Sequence, residues 1–251
     1  MIRICIGNVG SGKTVNEVRE MYLNTSQRTY YSNIQTNDVK NNVLINPEMI
    51  VKKEIVGEKK NKYLGTVEPI YKFKLNVDFW KKIKDPVNVI IDEAHSILNS
   101  RKSMSKVNVC ITDWIALIRR VLGQSESGEG GQLILISQLP YRIDRICRDM
   151  ATEIRYHLCH YYKTCKDCGI QWQENSNLPE VFWQCFGCKG RNIQKHGHSI
   201  EIWHFSNMTM YQNWEFFGAK SFYKHYMVYD IQDYFHLYKT LQWDNLFSTL
   251  Y

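Results

Sequence analysis

Residues 7–14 read Gly-Asn-Val-Gly-Ser-Gly-Lys-Thr and stand between a short apolar run, Arg3-Ile4-Cys5-Ile6, and a stretch of helical character over residues 12–24. Few octapeptides constrain a fold as tightly as G-x-x-x-x-G-K-[ST] in this setting, because the pattern works only as a turn between a buried strand and a helix. Its glycines let backbone N–H groups turn inward around phosphate oxygens, and the start of the helix adds the positive end of its dipole. Lys13 reaches the β- and γ-phosphates, and the Thr14 hydroxyl is placed for Mg²⁺. Gly7, Asn8, Val9, Gly10, Ser11, Gly12, Lys13 and Thr14 are therefore the expected binding site for ATP and Mg²⁺.

The strand and helix periods around this loop predict the rest of the fold. Arg28–Ile34 and Val87–Asp92 read as strands, Val77–Ile83 as a short helix stopped by Asp85-Pro86, Val109–Leu122 as a helix with apolar spacing of three and four, and Gln132–Gln138 as a buried strand. Residues 43–75 alternate in the manner of hairpins at a sheet edge. Strand and helix in alternation imply a mostly parallel α/β sheet with helices on both faces. Asp92 ends one buried strand, where a carboxylate completes the Mg²⁺ shell, and Glu93 beside it can polarise a water in line with the γ-phosphate. Ser137 and Gln138 sit at the tip of another strand.

The cysteines set a second site. Cys165-x-x-Cys168 and Cys185-x-x-Cys188 have the spacing of two knuckles that close a tetrahedral Zn²⁺ shell. A zinc ribbon orders a segment too small to fold alone. Cys5, Cys110, Cys147 and Cys159 fall in apolar patterns and are expected in the core; His196 and His198 are alternative ligands that four cysteines make unnecessary. Trp172, Phe182 and Trp183 are free to stack on bases, to contact a partner or to pack on the core. The divisions expected are an ATP-binding core over 1–160, a zinc ribbon over 161–198, and a returning strand with an aromatic, helical tail around 229–241 over 199–251.

The motifs GNVGSGKT, YYSNIQ, VIIDEAHSILNSR, WIALIRRVLG and LILISQLPYRIDRICR resemble those of the FtsK–HerA-type P-loop ATPases, among them viral genome-packaging ATPases and the zonula occludens toxin-like ATPases of phages and archaeal viruses. The likeness covers roughly residues 1–155. It implies a RecA-like core with an extra strand between the strand of the phosphate loop and that of Asp92, and Gln138 at its tip as a γ-phosphate sensor. It also implies an arginine acting across a subunit interface, with Arg101, Arg119 and Arg120 as candidates, and hence a homo-oligomeric ring, hexamer or pentamer. The Asp-Glu-Ala-His tetrapeptide also occurs in helicases, but no second tandem domain follows it.

The reading that combines these features is an ATP-hydrolysing motor that translocates double-stranded DNA, in a viral packaging setting with a capsid vertex or portal as docking partner. A phage-assembly or secretion ATPase and a nucleotide-dependent switch are the alternatives; a small-molecule kinase is disfavoured because Glu93 beside Asp92 suits water as the acceptor. A net charge of +7 suits a polyanionic partner. Arg142, Arg145 and Arg148, spaced by three, and the basic run 58–63 are candidate contacts to a phosphate backbone. No apolar run reaches the ~20 residues of a membrane span, and the N-terminus lacks a signal-peptide layout, so a cytoplasmic location is expected (host cytoplasm for a viral protein).

Overall fold

The computed structural model describes residues 1–24, 28–60, 65–83, 85–98, 109–111, 113–115, 118, 122, 130–175, 177 and 184–239. Five apolar runs, β1 (Ile2–Ile6), β2 (Tyr30–Ser32), β3 (Asn42–Leu44), β6 (Asn88–Ile91) and β7 (Leu133–Ser137), pair in parallel in the order β1-β7-β6-β2-β3. The extra strand β7 lies where the resemblance implies, between β1 and β6, with Ile6 opposite Ser137 and Ile91 opposite Leu135. On the other flank β1 pairs in parallel with β8 (Glu153–Cys165), which continues antiparallel through β10 (Ile193–Phe205) to β11 (Lys224–Val228), while β9 (Gln171–Asn175) adds to β8. The result is a mixed nine-stranded α/β sheet.

Alternation along the strands sends side chains to two faces. Ile2, Ile4, Ile6, Val89, Ile91, Leu133 and Leu135 pack on one side with Trp80 of α3 (Val77–Lys81), Ile143, Cys147 and Phe205. Ile111, Trp114, Ile115, Ile118 and Leu122 join this cluster and keep the expected helical spacing. Cys5, Ile90, Ile134 and Ile136 face the other way, against Val18 and Met21 of α1 (Lys13–Leu23) and Leu237. Helices thus cover both faces of the sheet.

Three local expectations change. Of residues 43–75, only β3 joins the sheet edge; β4 (Val51–Lys60) and β5 (Val67–Leu75), after the one-turn helix α2 (Pro47–Ile50), form a separate antiparallel hairpin. Its alternation serves two wet faces: Lys74 pairs with Glu54 at 2.7 Å, Lys53 lies 3.9 Å over the Tyr71 ring, and Ile55, Val56 and Val67 are exposed. The arginines at 142, 145 and 148 do not share one helical face. Pro140 opens a separate 3₁₀ turn over Pro140–Arg142, and Asp144 then caps α5 (Arg145–Asp149) by accepting from the Ile146 amide at 2.9 Å. Arg145 pairs with Asp149 at 3.3 Å, and the Arg148 guanidinium lies 5.8 Å over the Tyr141 ring. The tail helix expected around 229–241 is a 3₁₀ segment over Ile231–Leu237 that follows Asp230 in a left-handed conformation (φ 52°). The helix of this region is earlier, α6 (Met208–Phe217), capped by Asn207 and closed by Gly218.

β8 and β10 continue through positions 160/161 and 198/199, with a bulge in β10 between His196 and Ser199, and carry the segment between them. Among the described residues no helix is long and apolar enough to cross a membrane.

Candidate active site

The strand β1 delivers the phosphate loop and α1 leaves it. Gly7 (φ 146°) and Gly12 (φ 85°) have backbone conformations that favour glycine. A Cβ on Gly7 would collide with the His157 carbonyl and the Ser11 hydroxyl, and one on Gly12 with the Ile200 side chain. No side chain caps the start of α1, so its first N–H groups remain directed at the loop. Lys13 is buried, and its ammonium donates to the Gly7 and Asn8 carbonyls at 2.8 Å each and to Ser11 Oγ at 3.2 Å. Burial lowers the Lys13 pKa, with Asp92 and Glu93 acting against it. Ser11 is buried and Val9 exposed, and Asn8 Nδ2 donates to Asn177 Oδ1 at 3.0 Å.

Across the sheet, Thr14 Oγ1 donates to Asp92 Oδ2 at 2.8 Å. Burial raises the Asp92 pKa, and the bonds from Thr14 and from the Glu93 amide oppose it. A hydroxyl and a carboxylate oxygen converging beside the glycine-rich loop form a hard oxygen donor set of the kind that suits Mg²⁺. Asp92 is fixed by a residue that sequence reasoning missed. Asn33, just past β2, accepts from the Asp92 amide at 2.6 Å and donates to the Asp92 carbonyl at 2.9 Å. The run YYSNIQ was visible as a motif, but its partner lies 59 positions away.

Just before the one-turn helix α4 (Ala94–Ile97), Glu93 takes the left-handed conformation (φ 50°, ψ 42°), which costs a non-glycine residue about 1–3 kcal/mol. The turn aims its carboxylate at the tip of β7. Gln138 Nε2 donates to Glu93 Oε1 at 3.2 Å, and His95 Nδ1 lies 3.1 Å from Glu93 Oε2. Each carboxylate oxygen therefore has its own partner. Ser137 Oγ stands 3.5 Å from the same His95 nitrogen and donates to the Leu139 carbonyl. His95, the last residue of the Asp-Glu-Ala-His tetrapeptide, is the second residue missed; its signal was its place two residues after Glu93. Of the candidate arginines, Arg101, Arg119 and Arg120 lie outside the described residues.

The cysteine site is built at the far ends of β8 and β10. Cys165 Sγ lies 3.5 Å from Cys188 Sγ, and Cys168 Sγ lies 3.6 Å from Cys185 Sγ, with all four sulfurs within 4.8 Å of one another. Matching turns make the two knuckles: Gly169 N donates to the Cys165 carbonyl and Lys189 N to the Cys185 carbonyl, with Gly169 and Lys189 both left-handed. This donor set fits a structural Zn²⁺. His196 instead bonds Thr164 at 2.6 Å, and His198 packs on Tyr161 and Phe235. Trp172 packs edge-on against Phe186 and donates to Glu174, while Phe182 and Trp183 lie outside the described residues. Cys5, Cys147 and Cys159 are buried and Cys110 is partly so.

No protein-family profile and no curated protein matches the chain. Its structure is similar to the N-terminal domain of zonular occludens toxin from Neisseria meningitidis, at 16% identity and a TM-score of 0.42, over 95% of this chain and 98% of that one. It is also similar to the DNA-packaging ATPase B204 from Sulfolobus Turreted Icosahedral Virus (20% identity, TM-score 0.37, 62% of this chain and 74% of that one). The genome packaging NTPase B204 from Sulfolobus turreted icosahedral virus 2 in complex with AMPPCP is comparable, at 16% identity and a TM-score of 0.37, over 62% of this chain and 73% of that one.

Proposed function

We propose that this chain is the subunit of an ATP-hydrolysing ring motor that translocates double-stranded DNA, with viral genome packaging as its setting. The observation that carries the reading is the pairing of Glu93 with Gln138 across the inserted strand at 3.2 Å. It gives the site a water-activating carboxylate and a residue that can report on the γ-phosphate.

In this reading the loop residues Gly7 to Thr14 hold the triphosphate, and Lys13 exchanges its bonds to the loop carbonyls for β- and γ-phosphate oxygens. Thr14 and Asp92 hold Mg²⁺, which neutralises charge on the phosphates when bound. Glu93 accepts a proton from the attacking water, and His95 and Gln138 orient its two oxygens. When a γ-phosphate is present, the Gln138 amide can turn from Glu93 to a phosphate oxygen. That exchange frees Glu93 only when substrate is in place. An arginine from a neighbouring subunit, Arg119, Arg120 or Arg101, supplies a second cation beside Lys13, which the described residues of the site do not include. The four cysteines hold Zn²⁺ and order the segment 161–198 as a docking element for a vertex or portal protein, and the core works in the host cytoplasm.

The test is ATP turnover by purified protein with and without double-stranded DNA. The motor reading expects turnover to rise several-fold with DNA and to vanish in Glu93→Gln. Strong turnover indifferent to DNA would favour a secretion ATPase or a switch instead. In mixing experiments, Arg119→Ala or Arg120→Ala protein combined with Glu93→Gln protein should recover part of the activity, because a mixed interface then holds one intact half from each parent. Recovery absent for all three arginines would refute action in trans.

A further inference from the structure

Beneath the phosphate loop lies a second group of metal-ligating side chains that nucleotide chemistry does not use. Alternation along β1 and β8 sends Arg3, Cys5, Glu153, Arg155 and His157 to the face covered by α1, which answers with Glu17 and Glu20. Cys5 Sγ, a Glu17 carboxylate oxygen and a His157 ring nitrogen come within 4.8 Å of one another. All three residues are buried, His157 and Cys5 completely. Cys5 Sγ donates to Glu17 Oε1 at 3.2 Å, but neither nitrogen of the His157 ring has a hydrogen-bond partner. The Ile6 and Arg155 carbonyls face that ring without meeting it in hydrogen-bond geometry. A fully buried imidazole whose nitrogens meet only these two poorly aligned carbonyls, beside a thiol and a carboxylate, is costly in a core and ordinary in a metal site.

We propose that Cys5, Glu17 and His157 form a structural site for a borderline-soft divalent cation of the zinc class. Sulfur, nitrogen and oxygen donors together select this class over Mg²⁺ or Ca²⁺, which take oxygen ligands. Binding displaces the Cys5 thiol proton to solvent and forms metal–sulfur, metal–nitrogen and metal–oxygen bonds. Arg3 and Arg155 meet Glu17, Glu20 and Glu153 beside the three ligands, so the site lies in a dense network of ion pairs. The metal would join the strand before the phosphate loop, the helix after it and the neighbouring strand, closing the loop's base from three sides. This site does not depend on the motor reading, nor on metal at the four ribbon cysteines.

The test is metal analysis of the full chain purified without added metal. The expected result is two zinc per chain in the wild type and one in the Cys165→Ser/Cys188→Ser double variant, whose remaining zinc is lost on adding Cys5→Ser. In the double variant reconstituted with Co²⁺, a thiolate-to-cobalt charge-transfer band should be present and should disappear with Cys5→Ser. His157→Gln should abolish it too. Cys5→Ser is the near-isosteric variant that keeps the question open to test if His157→Gln fails to fold, with circular dichroism as the check. A double variant that holds no metal, or metal that Cys5→Ser leaves in place, overturns the site. A wild type with a single zinc that follows Cys5 and ignores Cys165 would sustain this site and remove metal from the ribbon.

Discussion

Glu153 is the hub of the ion network under α1, and replacing it with glutamine isolates what that network contributes. Its carboxylate accepts from Arg3 Nε at 2.7 Å, from Arg155 Nε at 3.2 Å and from the Tyr223 hydroxyl at 3.1 Å, with His204 Nδ1 at 2.7 Å. The side chain is 7% exposed. Removing one partner of a buried pair costs about 3–5 kcal/mol. Glu17 and Glu20 remain beside both arginines, so the lower end applies, ~3 kcal/mol, or a fall in Tm of roughly 6–12 °C for a chain of this size. Burial alone would raise the Glu153 pKa, but the His204 bond and the charges of Arg3 and Arg155 outweigh it and hold the carboxyl well below its usual range. A depressed folded-state pKa stabilises in full above the unfolded value, ~4.3, and that contribution fades below it until pH has fallen through the lower folded-state value. The gap between wild type and Glu153→Gln should therefore be full at pH 7 and shrink by about 1.4 kcal/mol per pH unit below ~4.3. Urea denaturation of both proteins at pH 7 and at pH 3.5 measures it. A difference under ~1 kcal/mol at pH 7, or an equal gap at the two pH values, would refute the hub.

Other outcomes follow from the active site and the ribbon. Lys13→Ala should abolish nucleotide binding in equilibrium titration, whereas Glu93→Gln should bind ATP and lose turnover by about 10²–10⁴-fold. Asn33→Ala removes both bonds that hold the Asp92 backbone; it should cost about 1–3 kcal/mol of stability and raise the Mg²⁺ concentration for half-maximal turnover, read from a Mg²⁺ titration. Replacing Cys168 and Cys185 with serine should release zinc and expose segment 161–198 to limited proteolysis, with the core near-UV spectrum retained; unchanged protease resistance would count against a metal-ordered ribbon.

What could be read in the sequence was local. The phosphate loop, the strands of Asp92 and Gln138 and the two cysteine pairs announce themselves within a dozen residues, because period, glycine placement and ligand spacing are short-range properties. The site's supports were not legible for the opposite reason. Asn33 meets Asp92 only after β2 pairs with β6, and the Cys5, Glu17 and His157 group appears only once β8 lies beside β1. Residues 51–75 misled because alternation alone does not say whether a hairpin finds a sheet edge. The arginines at 142, 145 and 148 misled because a spacing of three implies one face only if no proline or cap interrupts the helix.

The two longest strands have a mechanical consequence. β8 begins beside the phosphate-loop strand, with Arg3 opposite Glu153, and ends at Cys165; β10 runs back along it for the same length. The thirteen residues of β8 span roughly 40 Å, paired with β10 on one side except at the bulge between His196 and Ser199, and with β9 over His160–Thr164 on the other. A beam turns small rotations at its root into large displacements at its end: a tilt of about 5° beside the glycine-rich loop would move the cysteine knuckles by about 3.5 Å over that length. The link from Asn8 to Asn177 adds a second attachment, from the loop itself to the segment beyond β9. The glycine-rich loop and the cysteine knuckles thus share two connections, one through the strand β8 and one through Asn177, so a rotation at the root of β8 would be carried to the knuckles.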